Sequence, residues 1–172
     1  MKNRLLLISL FVLLLVNSSF SQSNDNGLVA WWQFEKLESR STTELVSDSR
    51  SVVNGFQKLK VGVEGKGLLL DGYTSYLEHT NNNSIKLNHG FTLSAWIAIQ
   101  AYPWNWCPII TQQRDEEAGY AFSVGPRGQI RLEVAADGAW QSCTSEDWVL
   151  PLRKWIHVAA TFNTSKAVAL YA

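Results

Sequence analysis

Two cysteines, four prolines and one methionine are all that 172 residues contain of those types, and each shortage excludes something. Two cysteines are too few for a disulfide-dense scaffold, so the chain must fold on buried apolar surface. They also lack a second cysteine or a histidine at ligand spacing, which removes the usual zinc arrangements. Charge of neither sign is in excess: 15 basic and 15 acidic residues give a formal net charge of zero. Nucleic acid and anionic membrane surfaces call for a basic stripe, so neither is expected as a partner. The Gly-x-Ser-x-Gly elbow, the phosphate loop and the zinc-protease signature are all missing.

Long apolar runs are missing too. The longest covers residues 5–16, interrupted only by Ser9 and preceded by Lys2 and Arg4. As a helix it reaches about 18 Å, short of the roughly 30 Å core of a bilayer. A basic start, a short apolar stretch and then Ser19-Phe20-Ser21 make a secretory signal peptide over 1–21, with cleavage after Ser21. Residues 22–26 then read as a short linker and 27–172 as one domain. The expected product is secreted or periplasmic, with no membrane insertion after cleavage. Cleavage removes two basic residues and no acid, leaving a net charge of −2.

Past residue 26 no helical period stands out. Short runs of β-branched and aromatic residues alternate with Gly, Asn, Asp or Pro. Residues 27–35 (GLVAWWQFE) place Leu28, Ala30, Trp32 and Phe34 on one face of a strand. Residues 35–53 read as polar and irregular, closing on an Asn54-Gly55 turn. Residues 67–70 lead into Asp71-Gly72, and 76–79 form a brief strand before the Asn-rich 81–84. The clearest strand is 91–99, with Phe91, Leu93, Ala95, Ile97 and Ile99 together and Thr92, Ser94, Trp96 and Ala98 opposite. Strands follow at 109–113, 120–125, 129–135, 140–145 and 155–163, with turns at 114–119, 126–128 and 136–138. Such spacing predicts an all-β, two-sheet antiparallel sandwich. The chain stops inside the apolar run 167–172, so the domain is expected to be C-terminally incomplete.

In an oxidising compartment Cys107 and Cys143 have one way to pair, and a disulfide is expected; the alternative is two unpaired thiols. Among eight tryptophans, Trp32, Trp96 and Trp155 lie within strands and are assigned to the core, with Trp31 and Trp140 left open. Tyr102-Pro103-Trp104-Asn105-Trp106 reads as a loop stiffened by its proline. Flat aromatic faces match the C–H faces of sugars, and Asn105 can bond hydroxyls, so Tyr102, Trp104, Asn105 and Trp106 are the candidate carbohydrate-binding residues. The alternative is that these tryptophans plug one end of the sandwich. Catalysis finds less support. Glycoside hydrolysis needs two carboxyl groups facing one cleft. Asp115, Glu116 and Glu117 are consecutive and read as a charged turn, Glu146 and Asp147 as loop, and Glu133 stands alone on its strand. His79 and His89 flank the Asn-rich stretch, and His157 reads as structural. No catalytic residue is assigned.

Several stretches together resemble the laminin-G-like modules of the concanavalin A-like lectin/glucanase superfamily: the opening GLVAWWQFE, then Asp48-Ser49 with Asn54-Gly55, then GKGLLLDGYTSYLE, FTLSAWIAI and WIHVAATFN. The AYPWNW and WQSC segments resemble modules found beside bacterial secreted glycoside hydrolases. The resemblance implies a jelly roll that binds sugars or proteins, and a structural calcium is possible near Asp71-Gly72 or Asp48, though no cofactor is assigned firmly. The expectation is a non-catalytic carbohydrate-binding accessory module whose partners are a glycan or an adjacent catalytic domain of the same chain. The alternative is a domain-packing or protein-interaction module without a glycan of its own.

Overall fold

A computed structural model describes residues 27–80, 90–114, 118–136, 138–146, 149–163, 165 and 167–172. The expected signal peptide, the 22–26 linker, the Asn-rich 81–84, His89, the acids at 115–117 and Asp147 lie outside the described residues. Twelve strands are described: β1 (Ser41–Glu44), β2 (Ser49–Asn54), β3 (Lys58–Val61), β4 (Lys66–Leu69), β5 (Tyr76–Glu78), β6 (Gly90–Ile97), β7 (Cys107–Arg114), β8 (Ala118–Val124), β9 (Ile130–Ala136), β10 (Ala139–Thr144), β11 (Ile156–Asn163) and β12 (Val168–Tyr171).

All strand pairs are antiparallel. Strands β7 to β10 form a meander in the order β10-β9-β8-β7, while β6 crosses over to pair with β11, giving β12-β11-β6. The crossing follows from burial. The apolar faces of β6 and β11 and those of β8 and β9 need one another, so the chain alternates between two sheets instead of continuing one. In the β6–β11 register Leu93 lies opposite Ala160, Ala95 opposite Val158 and Ile97 opposite Ile156, all turned inward. Thr92, Ser94 and Trp96 turn outward, as the alternation predicts. The other sheet answers with Tyr120, Phe122, Val124, Ile130, Leu132 and Val134. Leu150, from the loop before β11, closes the core. Burying side chains such as Phe122, Ile130 and Leu132 contributes roughly 1.5–3 kcal/mol each.

The N-terminal strands form a separate three-stranded sheet, β1-β2-β5, and the hairpin β3-β4. Here two expectations are corrected. Residues 28–37 form no strand. Phe34 has φ 59°, which breaks extended backbone, and the backbone bonds of Trp31 run to the Glu44 carboxylate (2.7 Å) and the Leu45 N–H (2.9 Å) instead of a ladder. Residues 41–54, read as irregular, contain β1 and β2. Thr42, Glu44 and Ser51 share their covered face with Val53, so hydroxyls and a carboxylate stand where apolar side chains would have signalled a strand. The Asn54-Gly55 turn is present, with Gly55 at φ 69°.

Tryptophan placement is corrected as well. Trp96 is 53% exposed and Trp155 41% exposed, so neither is a core residue. Trp96 stands on the outward face of β6 with its ring 5.2 Å from that of His157, which is also exposed. Trp155 packs its ring edge over Gly67 of β4. Trp32 is half-buried, donating its indole N–H to Ser51 Oγ (2.7 Å) and meeting His79 edge-on at 5.3 Å.

The expected disulfide is not formed, and both cysteines are free. Cys107 opens β7 and Cys143 lies in β10, the two outer strands of one sheet. Three interstrand spacings of about 4.8 Å put them about 14 Å apart, twice the Cα separation of roughly 7 Å that a disulfide tolerates.

Candidate aromatic and polar binding face

The loop before β7 is built by anchoring both sides of its tip. Tyr102 donates its hydroxyl to the Leu150 carbonyl (2.7 Å) and lays its ring against Gly128, which has φ 84°. Trp106 rests against Gly125 at the other end of the same β8–β9 turn. A Cβ at Gly128 would stand 2.6 Å from the Tyr102 ring and one at Gly125 2.7 Å from the Trp106 ring. Bare backbone at these two positions is what lets the rings seat. Asn105 turns its side-chain oxygen back to accept from the Trp106 N–H (2.8 Å), which tightens the tip. Trp104 is left standing out, 84% exposed.

The four residues singled out in the sequence therefore divide. Tyr102 and Trp106 are half-buried anchors, Asn105 is an exposed brace, and Trp104 is the free flat surface. The plugging alternative fits Tyr102 and Trp106 and fails for Trp104.

Trp106 also leads to residues that sequence reasoning missed. The guanidinium of Arg131 lies 3.9 Å over its ring centroid. Arg131 and Glu133 are two apart on β9, so both project from the outward face, and they form an ion pair at 2.8 Å. The cation–π contact contributes about 0.5–2 kcal/mol and holds the guanidinium over the Trp106 ring. Its Nε has no hydrogen-bond partner. The sheet register assembles the rest of the face. Arg131 lies opposite Thr144 and Ser123, Glu133 opposite Ser142 and Ala121, and Ala135 opposite Trp140. From β7, Thr111 and Gln113 pair with Ala121 and Gly119. Small residues of β8 thus lie low between longer polar side chains. Trp140, undecided from sequence, is partly exposed on β10 at the rim. The opposite charges two apart in the outward positions of IRLEVAA were the available signal for this face.

Of the two calcium candidates, Asp71 has surroundings that do not fit the ion. Its carboxylate accepts from the backbone N–H groups of Tyr73, Thr74 and Ser75 and from the Thr74 hydroxyl. Those bonds, the Thr74 hydroxyl foremost, hold it well below the usual aspartate range and occupy the lone pairs a metal would need. Asp48 is exposed in a turn at φ 52°. Among the described residues no three His, Cys, Asp or Glu side chains group to hold a metal.

Two antiparallel sheets closed over one apolar core, with a crossing between β6 and β11, define the jelly-roll class of β-sandwich. A family model described as the Concanavalin A-like lectin/glucanases superfamily, of laminin-G type, matches residues 71–172, and the chain belongs to that family. No curated protein and no solved structure matched the chain. The fold is one of carbohydrate-binding and interaction modules in general.

Proposed function

We propose that this chain is a non-catalytic carbohydrate-binding module of a larger secreted protein, working beside a glycoside hydrolase domain. One observation carries the reading. Trp104 is a nearly fully exposed indole on a loop anchored by Tyr102 and Trp106, and Trp106 reaches an outward face lined by hydroxyl and amide side chains. An exposed tryptophan on a loop held by two anchors presents flat apolar area at little entropic cost, which suits a sugar ring. The non-catalytic part rests on Glu133. It is the single carboxylate projecting from the outward positions of β7 to β10 among the described residues, and it is engaged by Arg131. Hydrolysis by paired carboxyls needs a second one within about 5 to 9.5 Å. Export rests on the sequence reading of residues 1–21.

A second reading, a protein-interaction or domain-packing module, draws on the other sheet. Trp96, His157, Trp155 and Tyr171 leave exposed aromatic surface there.

Affinity measurements on a glycan panel, paired with unfolding midpoints, separate the two. Trp104→Ala is expected to weaken glycan binding by about 1–3 kcal/mol and to change stability by no more than about 0.5 kcal/mol. Trp106→Ala is expected to lower the midpoint as well, because its ring seats Arg131. An intact chain that binds no glycan would move the assignment to packing.

A further inference from the structure

Among the described residues, the outward strand positions of the four-stranded sheet carry no net charge. Arg131 and Glu133 are the charged side chains that its described strand positions project outward, and they are bonded to each other at 2.8 Å. The neighbours from β7 and β10 are Thr111, Gln113, Ser142 and Thr144, all uncharged. A bare guanidinium held over an indole would be a ready fork for a carboxylate or a sulfate. Glu133 takes one arm of that fork, the Nη2 group. It also sets a negative charge where an anionic ligand would have to approach.

We infer that this face takes a neutral polysaccharide, and that Glu133 is the residue that keeps acidic glycans off by occupying Arg131. The paired side chains still offer a sugar both acceptor and donor atoms in a fixed plane, which neighbouring hydroxyls on an uncharged ring can use. This inference rests on the glycan-binding reading above and adds the charge class of the ligand to it.

The test is affinity electrophoresis of the full chain in gels holding neutral polysaccharides (glucan, xylan, mannan) or acidic ones (polygalacturonate, alginate, a sulfated galactan). Wild type and Glu133→Gln are run side by side, with the unfolding midpoint of each recorded. Wild type is expected to be retarded by at least one neutral polysaccharide and by no acidic one. Glu133→Gln frees the guanidinium and is expected to gain at least about tenfold in affinity for an acidic polysaccharide, the size of one charge-assisted bond, with the gain lost in high salt. Retardation of wild type by acidic polysaccharides, or an unchanged preference in a folded Glu133→Gln, would overturn the inference while leaving glycan binding intact. Retardation by none of the panel would overturn both. Should the variant not fold, the wild-type comparison of neutral against acidic gels still decides.

Discussion

The two parts of the described chain bury different chemistry. Between residues 90 and 172 the largest fully covered side chains are Phe122, Ile130, Leu132, Leu150 and Val158; between 27 and 80 they are Glu44, Ser51 and Val53. Apolar burial stabilises without direction and in proportion to area. Polar burial stabilises only where each group finds its partner, and a single missing partner leaves a desolvated group behind. Glu44 illustrates the second case. It accepts from the backbone N–H groups of Trp31, Val46 and Ser47 and from the Ser47 hydroxyl, at 2.5 to 2.8 Å. One carboxylate thereby fixes both the β1–β2 turn and the extended N-terminal segment. The C-terminal sheets depend on volume and the N-terminal sheet on geometry.

The largest effect should come from the apolar side of this comparison. Phe122 has no exposed surface and lies in the middle of β8. Phe122→Ala is expected to cost about 3–5 kcal/mol, lost contacts plus the cavity left behind, measured by urea unfolding. A loss below about 1 kcal/mol would mean that the two sheets do not close over that ring, and the contrast would collapse.

The polar side should respond less in size and differently in kind. Glu44→Gln is expected to cost about 1–3 kcal/mol, because an amide cannot accept the same set of bonds. It should also change the pH profile. Burial by itself raises the Glu44 carboxyl, but the bonds from Ser47, Val46 and Trp31 outweigh it and hold the group below its ordinary value of 4.5. A depressed carboxyl contributes stability that is present above its unfolded value and fades as pH falls through the folded one. Wild-type protein should therefore lose stability from about pH 4.5 downward, and Glu44→Gln should lose less over that range. Parallel midpoint curves for the two proteins between pH 3 and 6 would show that Glu44 is not the staple.

How much was legible in the sequence follows the same division. Strands β6, β8, β9 and β11 were readable because each alternates apolar and polar side chains at period two against an apolar neighbour. Residues 28–34 carry the same alternation, and it misled. Alternation states that a segment suits a ladder but not that a ladder is available, and Trp31 bonds to a carboxylate thirteen residues on. β1 and β2 were unreadable because hydroxyls stand in their covered positions. Trp96 shows a further limit. The alternation put it on the face of β6 away from Leu93, and only the assumption that tryptophan is buried placed it in the core. At the candidate site, Pro103 and the flanking aromatics marked the loop. Its division into anchors and a free indole depended on Gly125 and Gly128, which lie in a turn about twenty residues away.

The smallest expected effect is a null one, and it sharpens the contrast most cheaply. If the C-terminal sheets are held by apolar burial alone, reductant should leave their stability unchanged. A bond between Cys107 and Cys143 would close a loop of some 37 residues and constrain the unfolded chain by about 3 to 4 kcal/mol. Dithiothreitol would then lower the unfolding midpoint by several degrees. The strand order predicts otherwise, since β8 and β9 lie between the two cysteines. Non-reduced peptide mass spectrometry of exported protein should find both thiols alkylatable, with Cys107 the faster because it is exposed. Cys107→Ser and Cys143→Ser should each unfold near the wild-type midpoint in the presence or absence of reductant. A crosslinked peptide joining the two would require β7 and β10 to be neighbours, and that would rearrange the face on which Arg131, Glu133 and Trp106 meet.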